Sequence, residues 1–323
     1  MRLGYVPTIL KVLWVLTASC AAIAHAQTFP TQRVTLIVPY APGGPTDVVV
    51  RIVGASLGKL WNQPLIVENR PGAAAVMGSN VVAKAKPDGY TLLANSEIAW
   101  TSAIFIKNLP YQPDDLVAVA KMAGSNYVLV ASQESGVTSF KDFVALVKAN
   151  PGKFTYGTIP NGTQDLAFEL FKQKLGIALL KVPYNSAAVI QTAVLRNDVN
   201  FYFAIPASVA GSVVDRKMTP LAMLGATRSG NAPYQSVPTP REFGLEFQAG
   251  FDLGIIVPKG TPDPVIRKLG ADVAAVLKDP EVSGALKRTG YDVPTDPLAW
   301  PSDLRKTLDD YFRIAKVLKI EPE

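Results

Sequence analysis

Short β-branched apolar runs alternate with stretches of helical spacing, and that alternation most constrains the fold. Val34-Thr35-Leu36-Ile37-Val38 reads as a buried strand, and Val48 onward through Leu57, Leu60 and Trp61 repeats at helical spacing. Leu65–Asn69 is a second strand, residues 73–85 a small-residue helix, and Thr91–Asn95 a third strand. Strand, helix, strand, helix, strand predicts a mostly parallel α/β sheet with helices on both faces. A second block repeats the pattern. Its strands fall at residues 127–132, 154–156, 178–182, 199–203 and 221–226, with helices between them. This predicts a second α/β domain. A Pro-rich link over residues 233–240 leads to a strand at 254–258. Helix starts follow at Thr261-Pro262-Asp263, Asp279-Pro280-Glu281 and Pro301-Ser302-Asp303. Terminal helices without strands imply that the chain returns to pack on the first domain.

Residues 1–26 read as an export signal: Arg2 and Lys11, a short apolar run from Val12, and an Ala24-His25-Ala26 cleavage site. The run is too short for a membrane span. Cleavage after Ala26 leaves a mature chain beginning at Gln27. Cys20 offers a lipoprotein alternative, against which stands Thr17 where such signals usually carry Leu. The single Cys and single His both lie in this segment. The mature chain therefore has no disulfide, thiol nucleophile, histidine base or His/Cys metal site. No cofactor is expected, and an exported chain without disulfides points to the bacterial periplasm. Its formal charge falls from +6 to +4 once Arg2 and Lys11 are removed. The basic residues are scattered, which argues against nucleic acid.

The first strand runs into Pro39-Tyr40-Ala41-Pro42-Gly43-Gly44-Pro45-Thr46-Asp47, a Gly/Pro turn opening a helix. Free N–H groups of a first helical turn suit an anion or a polar oxygen. The spacing is neither a dinucleotide fingerprint nor a P-loop. Asp47 suits the helix dipole yet would compete with an anionic ligand, and Arg51 lies four residues on to offset it. The alternatives are an ordinary turn with a capping acid and a ligand-binding turn. A second Gly-rich strand-to-helix loop carries Asn161, Gly162, Thr163, Gln164 and Asp165, where the alternative is capping by Thr163 or Asp165. Ligands bind beyond the carboxyl ends of strands in open α/β sheets, so the two loops could face each other across a cleft. Tyr184-Asn185-Ser186 presents the same geometry, with an N-cap as its alternative. Asn95-Ser96-Glu97 ends a strand, and Glu97 reads as a cap or a surface residue. Phe201-Tyr202-Phe203 reads as alternating core and surface. No G-x-S-x-G is present, and a Ser-His-Asp triad is impossible without His. Enzymatic activity is not expected.

Three closely spaced stretches resemble a known family. They are residues 38–47, Val67-Glu68-Asn69-Arg70-Pro71-Gly72-Ala73 and Lys86-Pro87-Asp88-Gly89-Tyr90-Thr91-Leu92. Val182-Pro183-Tyr184, Val257-Pro258-Lys259-Gly260-Thr261-Pro262 and Gly290-Tyr291 continue the match. The family is that of Bug-type substrate-binding proteins of tripartite tricarboxylate transporters. The resemblance implies a two-domain periplasmic binding protein, a type II-like Venus flytrap, with crossings near Tyr127 and Gly250. Residues 27–126 with 251–323 would form domain 1, and 127–250 domain 2. It implies a small organic acid held by Tyr40, Ala41, Pro42, Gly43, Gly44, Thr46, Asp47 and Ser96 on one side. Asn161, Gly162, Thr163, Gln164, Tyr184, Asn185, Ala204 and Ile205 would close from the other, partly through ordered waters. The implied partners are that ligand and membrane transporter subunits, with the receptor itself a monomer. A sensor subunit signalling to a membrane partner is the alternative. The sequence departs from the family where Gln164-Asp165-Leu166 lacks the usual His, and where Phe203-Ala204-Ile205 replaces Phe-Asp-Asn. Tyr184 is followed by Asn185-Ser186 in place of a basic residue or Lys/Arg-Gly. Ala204 and Ile205 imply a less polar distal end, suited to an aromatic or longer aliphatic acid.

Overall fold

The computed structural model describes residues 29–322, so the signal segment and Gln27 lie outside the described residues. The first unit comprises β1 (Val34–Val38), α1 (Pro45–Trp61), β2 (Leu65–Asn69), α2 (Val76–Ala83), β3 (Thr91–Asn95), α3 (Ile98–Phe105) and β4 (Leu116–Asn126). The chain continues through β5 (Val128–Ser132), α4 (Phe140–Ala149), β6 (Thr155–Thr158), α5 (Thr163–Leu175) and β7 (Leu180–Pro183). After α6 (Ala187–Leu195), β8 (Phe201–Ala204), α7 (Pro206–Val214) and β9 (Met218–Met223), it returns along β10 (Gly250–Pro258). The helices α8 (Asp263–Leu277), α9 (Pro280–Arg288) and α10 (Trp300–Val317) close it.

The strands form two five-stranded sheets, ordered β2-β1-β3-β10-β4 and β7-β6-β8-β5-β9. In each sheet one strand, β10 or β5, runs antiparallel to both neighbours, and the other pairings are parallel. That strand is in each case the one arriving from the other sheet. The chain changes sheets at Tyr127 and returns at Gly250. The two passages are hydrogen-bonded: the Tyr127 N–H donates to the Ala249 carbonyl (2.9 Å), and the Leu224 N–H to the Tyr127 carbonyl (2.8 Å). A β-carbon on Gly250 would sit 2.6 Å from the Ser125 carbonyl oxygen, so only glycine lets the passages lie this close.

Both faces of both sheets are covered, as the βαβ pattern requires. Val34, Leu36 and Val38 pack with Val49, Val53 and Leu57 of α1. Phe201 and Phe203 pack with Phe168 and Phe171 of α5, and Tyr202 and Ala204 face the opposite side, toward Ile190 and Val209. The expected alternation of core and surface along β8 is therefore corrected: all its residues are buried, because helices lie on both sides.

The terminal helix departs from the expectation that it packs on the first unit. Trp300 and Leu304 join the cluster containing Ile37, Leu93 and Ile256, whereas Tyr311, Ile314 and Ala315 join the phenylalanine cluster of the second sheet. At 18 residues the helix is about 27 Å long, enough for one apolar stripe to span both units.

Candidate functional site

The turn after β1 is held by one carboxylate. Asp47, 3% exposed, accepts from the Gly43 N–H (2.9 Å), the Asn69 side-chain amide (2.9 Å) and Arg51 Nε (2.8 Å). The Arg51 hydrogen bond, with those from Gly43 and Asn69, holds its pKa down at about 2. Asp47 is thus firmly ionised, with its lone pairs engaged inside the loop and its charge offset in part by Arg51. Asn69 also donates to the Tyr40 carbonyl (3.0 Å), and the Tyr40 hydroxyl donates to Asn95 Oδ1 (3.0 Å). Asn95 is fully buried and anchored on Ser79. Ala41, Pro42 and Gly43 stay exposed. Gly43 has φ +79°, and a β-carbon there would meet nothing within 4 Å. The result is a braced loop with a bare surface, running into the first-turn N–H groups of Thr46 and Asp47, which have no carbonyl within the helix to receive them. Ser96, beside Asn95, is buried, and its hydroxyl accepts from the Ile98 N–H.

The second loop is built differently. Asn161 is exposed with φ +60°, and Gly162 caps α5 without a side-chain bond. Capping by Thr163 or Asp165 is therefore not what the fold uses: Thr163 is the first helical residue, and Asp165 is ion-paired with Lys181 (2.9 Å). Gln164 Nε2 donates to the Phe203 carbonyl (2.7 Å), tying α5 to the end of β8, and its Oε1 is buried without a partner. Tyr184 is half-buried and Asn185 exposed, and Ser186 caps α6. Ile205 is 40% exposed. Ala204 is fully buried in the cluster with Val128, Tyr202 and Val209, so its side chain belongs to the core face of β8.

The residue that sequence reasoning missed is Glu97. It is 4% exposed, occupies the cap position of α3 without making a side-chain cap bond, and its Oε1 has no partner among the described residues. It is the cap residue by position and through its backbone carbonyl, which accepts from the Trp100 and Thr101 N–H groups, but not through its side chain, and the surface reading is corrected. Burial, and then the negative charge of Asp252, push its pKa up to about 7; the Thr163 hydroxyl lies beside it and works the other way. The burial of the Tyr40 and Tyr127 hydroxyls and the charge of Glu97 also raise both tyrosines. Glu97 lines a cavity at the junction of the two units, with Lys121 and Asp252 on one side and Leu170 and Lys174 on the other. Elsewhere the units meet where Asn231 donates to Asp292 (3.1 Å) and where Gly290 faces Ala207, whose β-carbon would lie 2.8 Å from one added to the glycine. A carboxyl that titrates higher folded than unfolded stabilises the fold below its unfolded pKa and loses that contribution as pH rises through 7. Glu97→Gln is therefore expected to raise the unfolding midpoint at pH 8 and leave it nearly unchanged at pH 5. Thermal scans at both values check this.

A family model described as tripartite tricarboxylate transporter family receptor matches residues 49–299. The chain belongs to that family. Its Bug-type character is seen in BugT of Bordetella pertussis, 31% identical over 303 residues, covering 92% of this chain and 91% of that one. A UPF0065 protein of the same organism is 32% identical over 281 residues, 86% of each chain. Among solved structures, the periplasmic binding protein BugD is 26% identical with a TM-score of 0.66, covering 91% of this chain and 100% of its own. A Rhodopseudomonas palustris protein solved with adipate is 26% identical with a TM-score of 0.69, at the same coverage. The family and fold of this receptor are those of periplasmic solute-binding proteins.

Proposed function

We propose that this receptor captures a small organic carboxylate between the loops at residues 40–47 and 161–164 and delivers it to the membrane subunits of a tripartite tricarboxylate transporter. The observation that carries this is the braced, bare turn after β1. Its exposed backbone and unengaged first-turn N–H groups form an anion site, with its own acid, Asp47, already engaged. Relatives of similar fold support the ligand class: MatC of Rhodopseudomonas palustris was solved with malate and another protein of that organism with adipate. The sheets carried by residues 27–126 with 251–323 and by residues 127–250 act as the two jaws, with the second half of α10 seated on the latter. No catalytic step is assigned. Export with cleavage after Ala26 places the protein in the periplasm, and an N-terminus at Gln27 in the purified protein tests that.

The deciding experiment is thermal unfolding of the mature chain against a panel of carboxylates and neutral aromatics. A ligand at ~100 times its Kd adds roughly 2.7 kcal/mol to the folded state, a shift of several degrees in a chain of this size. A shift with at least one carboxylate supports the receptor. A shift with neutral compounds alone, or with none, overturns the carboxylate class.

A further inference from the structure

The loop-bearing edges of the two sheets also touch beside the chain crossings. β4 runs in the direction of β1, so Gly124 near its end lies at the edge of the first sheet that carries residues 40–47. β8 runs parallel to β6, so Ala207 in the first turn of α7 lies at the edge of the second sheet that carries residues 161–164. Each side of the contact is braced on its own unit. Asp292 exchanges two backbone hydrogen bonds with Gly124 (3.1 and 2.8 Å), and the Tyr291 ring lies 6.3 Å from that of Phe251. Opposite them, the hydroxyl of the buried Tyr234 donates to the Pro206 carbonyl (2.6 Å) and its N–H to the Asn231 carbonyl (2.9 Å). That ties the Asn231 turn to the start of α7. Between the two rims run the Asn231–Asp292 hydrogen bond (3.1 Å) and the contact of Gly290 with Ala207. A β-carbon on Gly290 would come within 2.8 Å of that of Ala207, where two carbons normally stand about 3.5–4.0 Å apart, so the contact leaves no room for a side chain on Gly290.

We infer that Gly290 and Ala207 form a stop, held by the Asn231–Asp292 latch, that fixes how closely the two loop-bearing edges approach and so the length of solute that bridges them. This rests on the reading of the cleft as the carboxylate site. Hinged units close until their rims meet. Where both rims are braced, a packed contact yields little, and the gap is set by the size of the residues at the stop. A solute held at one end by the turn after β1 must reach the second loop across that gap. Glycine facing alanine is nearly the thinnest pair side chains allow, so this stop favours the shorter acids. A larger residue at the same place holds the edges apart and favours longer ones.

The test thickens the stop from the side that tolerates it. Gly290 has φ +84°, so a side chain there strains the backbone as well as the contact. Ala207 is an exposed helical residue, where leucine costs the helix little. The mature wild-type chain and Ala207→Leu are titrated by calorimetry with unbranched dicarboxylates from succinate to pimelate, and small-angle X-ray scattering is recorded with and without each acid. Ala207→Leu should unfold at the wild-type temperature and keep a larger radius of gyration when saturated. It should bind the shortest acid that wild type holds roughly tenfold or more weakly, and lose less, or gain, with longer ones. Asn231→Ala, which removes one exposed hydrogen bond, should weaken every length alike by roughly two- to tenfold. Wild-type affinities and radius in Ala207→Leu, or weakening by one factor at every length, overturn the stop and leave the carboxylate receptor standing. Unchanged affinity in Asn231→Ala overturns the latch. Should no carboxylate bind wild type, the carboxylate reading falls by itself and the ligand-free radius judges the stop: a larger value in Ala207→Leu supports it, and an equal one overturns it.

Discussion

Asp47→Ala is expected to weaken solute binding by at least about 100-fold and to lower stability by about 2 kcal/mol. The carboxylate is the point at which three segments meet: the turn through Gly43, the end of β2 through Asn69 and the helix through Arg51. Removing it leaves a half-buried amide and an N–H without their acceptor, at a cost of about 1–3 kcal/mol for a group kept from water. Arg51 is half exposed, so water recovers part of the lost ion pair. The larger effect falls on binding. A turn released from its brace must be ordered again by each incoming ligand, and the N–H groups no longer converge on one point. Asp47→Asn keeps an acceptor for Gly43 but loses the charge, and should fall between the two. The pH dependence has a definite sign. The folded pKa, about 2, lies below the ordinary 3.8, so the contribution is complete above about pH 4 and is lost as pH falls toward 2. Urea unfolding of wild type and Asp47→Ala should therefore give a clear gap at pH 7 that narrows at pH 3. An unchanged gap at pH 3 would show that the ionised form is not what braces the turn.

The parts of this architecture that were legible in sequence are those whose signal is local. β1 and α1 are marked by a β-branched run, a Pro-Gly-Gly turn and a helical repeat, all within thirty residues, and the second Gly-rich loop is marked in the same way. β4 gave no such signal: Ala118, Ala120, Ala123 and Gly124 are poor strand formers, and Lys121 interrupts the run. It is a strand because β10, far along the chain, pairs with it through two register shifts. α3 was also missed, since Ile98-Ala99-Trp100-Thr101-Ser102-Ala103-Ile104-Phe105 has no polar face to set a period. In the site, the residue types at both loops could be read, but not their directions. The position of Asp47 in a first helical turn was visible, whereas its acceptor role for Asn69 depends on β2 lying beside β1. Glu97 is the extreme case. Its neighbours come from β10, α5, the crossover and α10, so nothing near it in sequence marks it as buried.

Direction also decides the second large prediction. The absence of an acid where β8 ends suggested that Ala204 and Ile205 together make an apolar distal pocket, but the structure separates them. Ala204→Asp would place a carboxylate at a fully buried position in the apolar cluster of Val128, Tyr202 and Val209. An uncompensated buried charge costs about 3–5 kcal/mol, reduced by whatever proton the group takes up. The variant should therefore unfold well below wild type, and the gap should widen from pH 5 to pH 8 as the acid is forced to ionise. Any loss of binding in it would report on the fold alone. Ile205→Asp is the informative change. Ile205 is 40% exposed and sits at the cap position before Pro206, where its backbone is extended and an Asp side chain can accept a first-turn N–H. That variant should keep or gain up to about 1 kcal/mol of stability while adding charge at the mouth of α7. If the distal pocket is apolar, Ile205→Asp weakens binding of acids with long apolar tails and spares short ones. If both classes bind it as they bind wild type, Ile205 does not line the pocket. The selectivity of the second half of the cleft then rests with Gln164 and Tyr184.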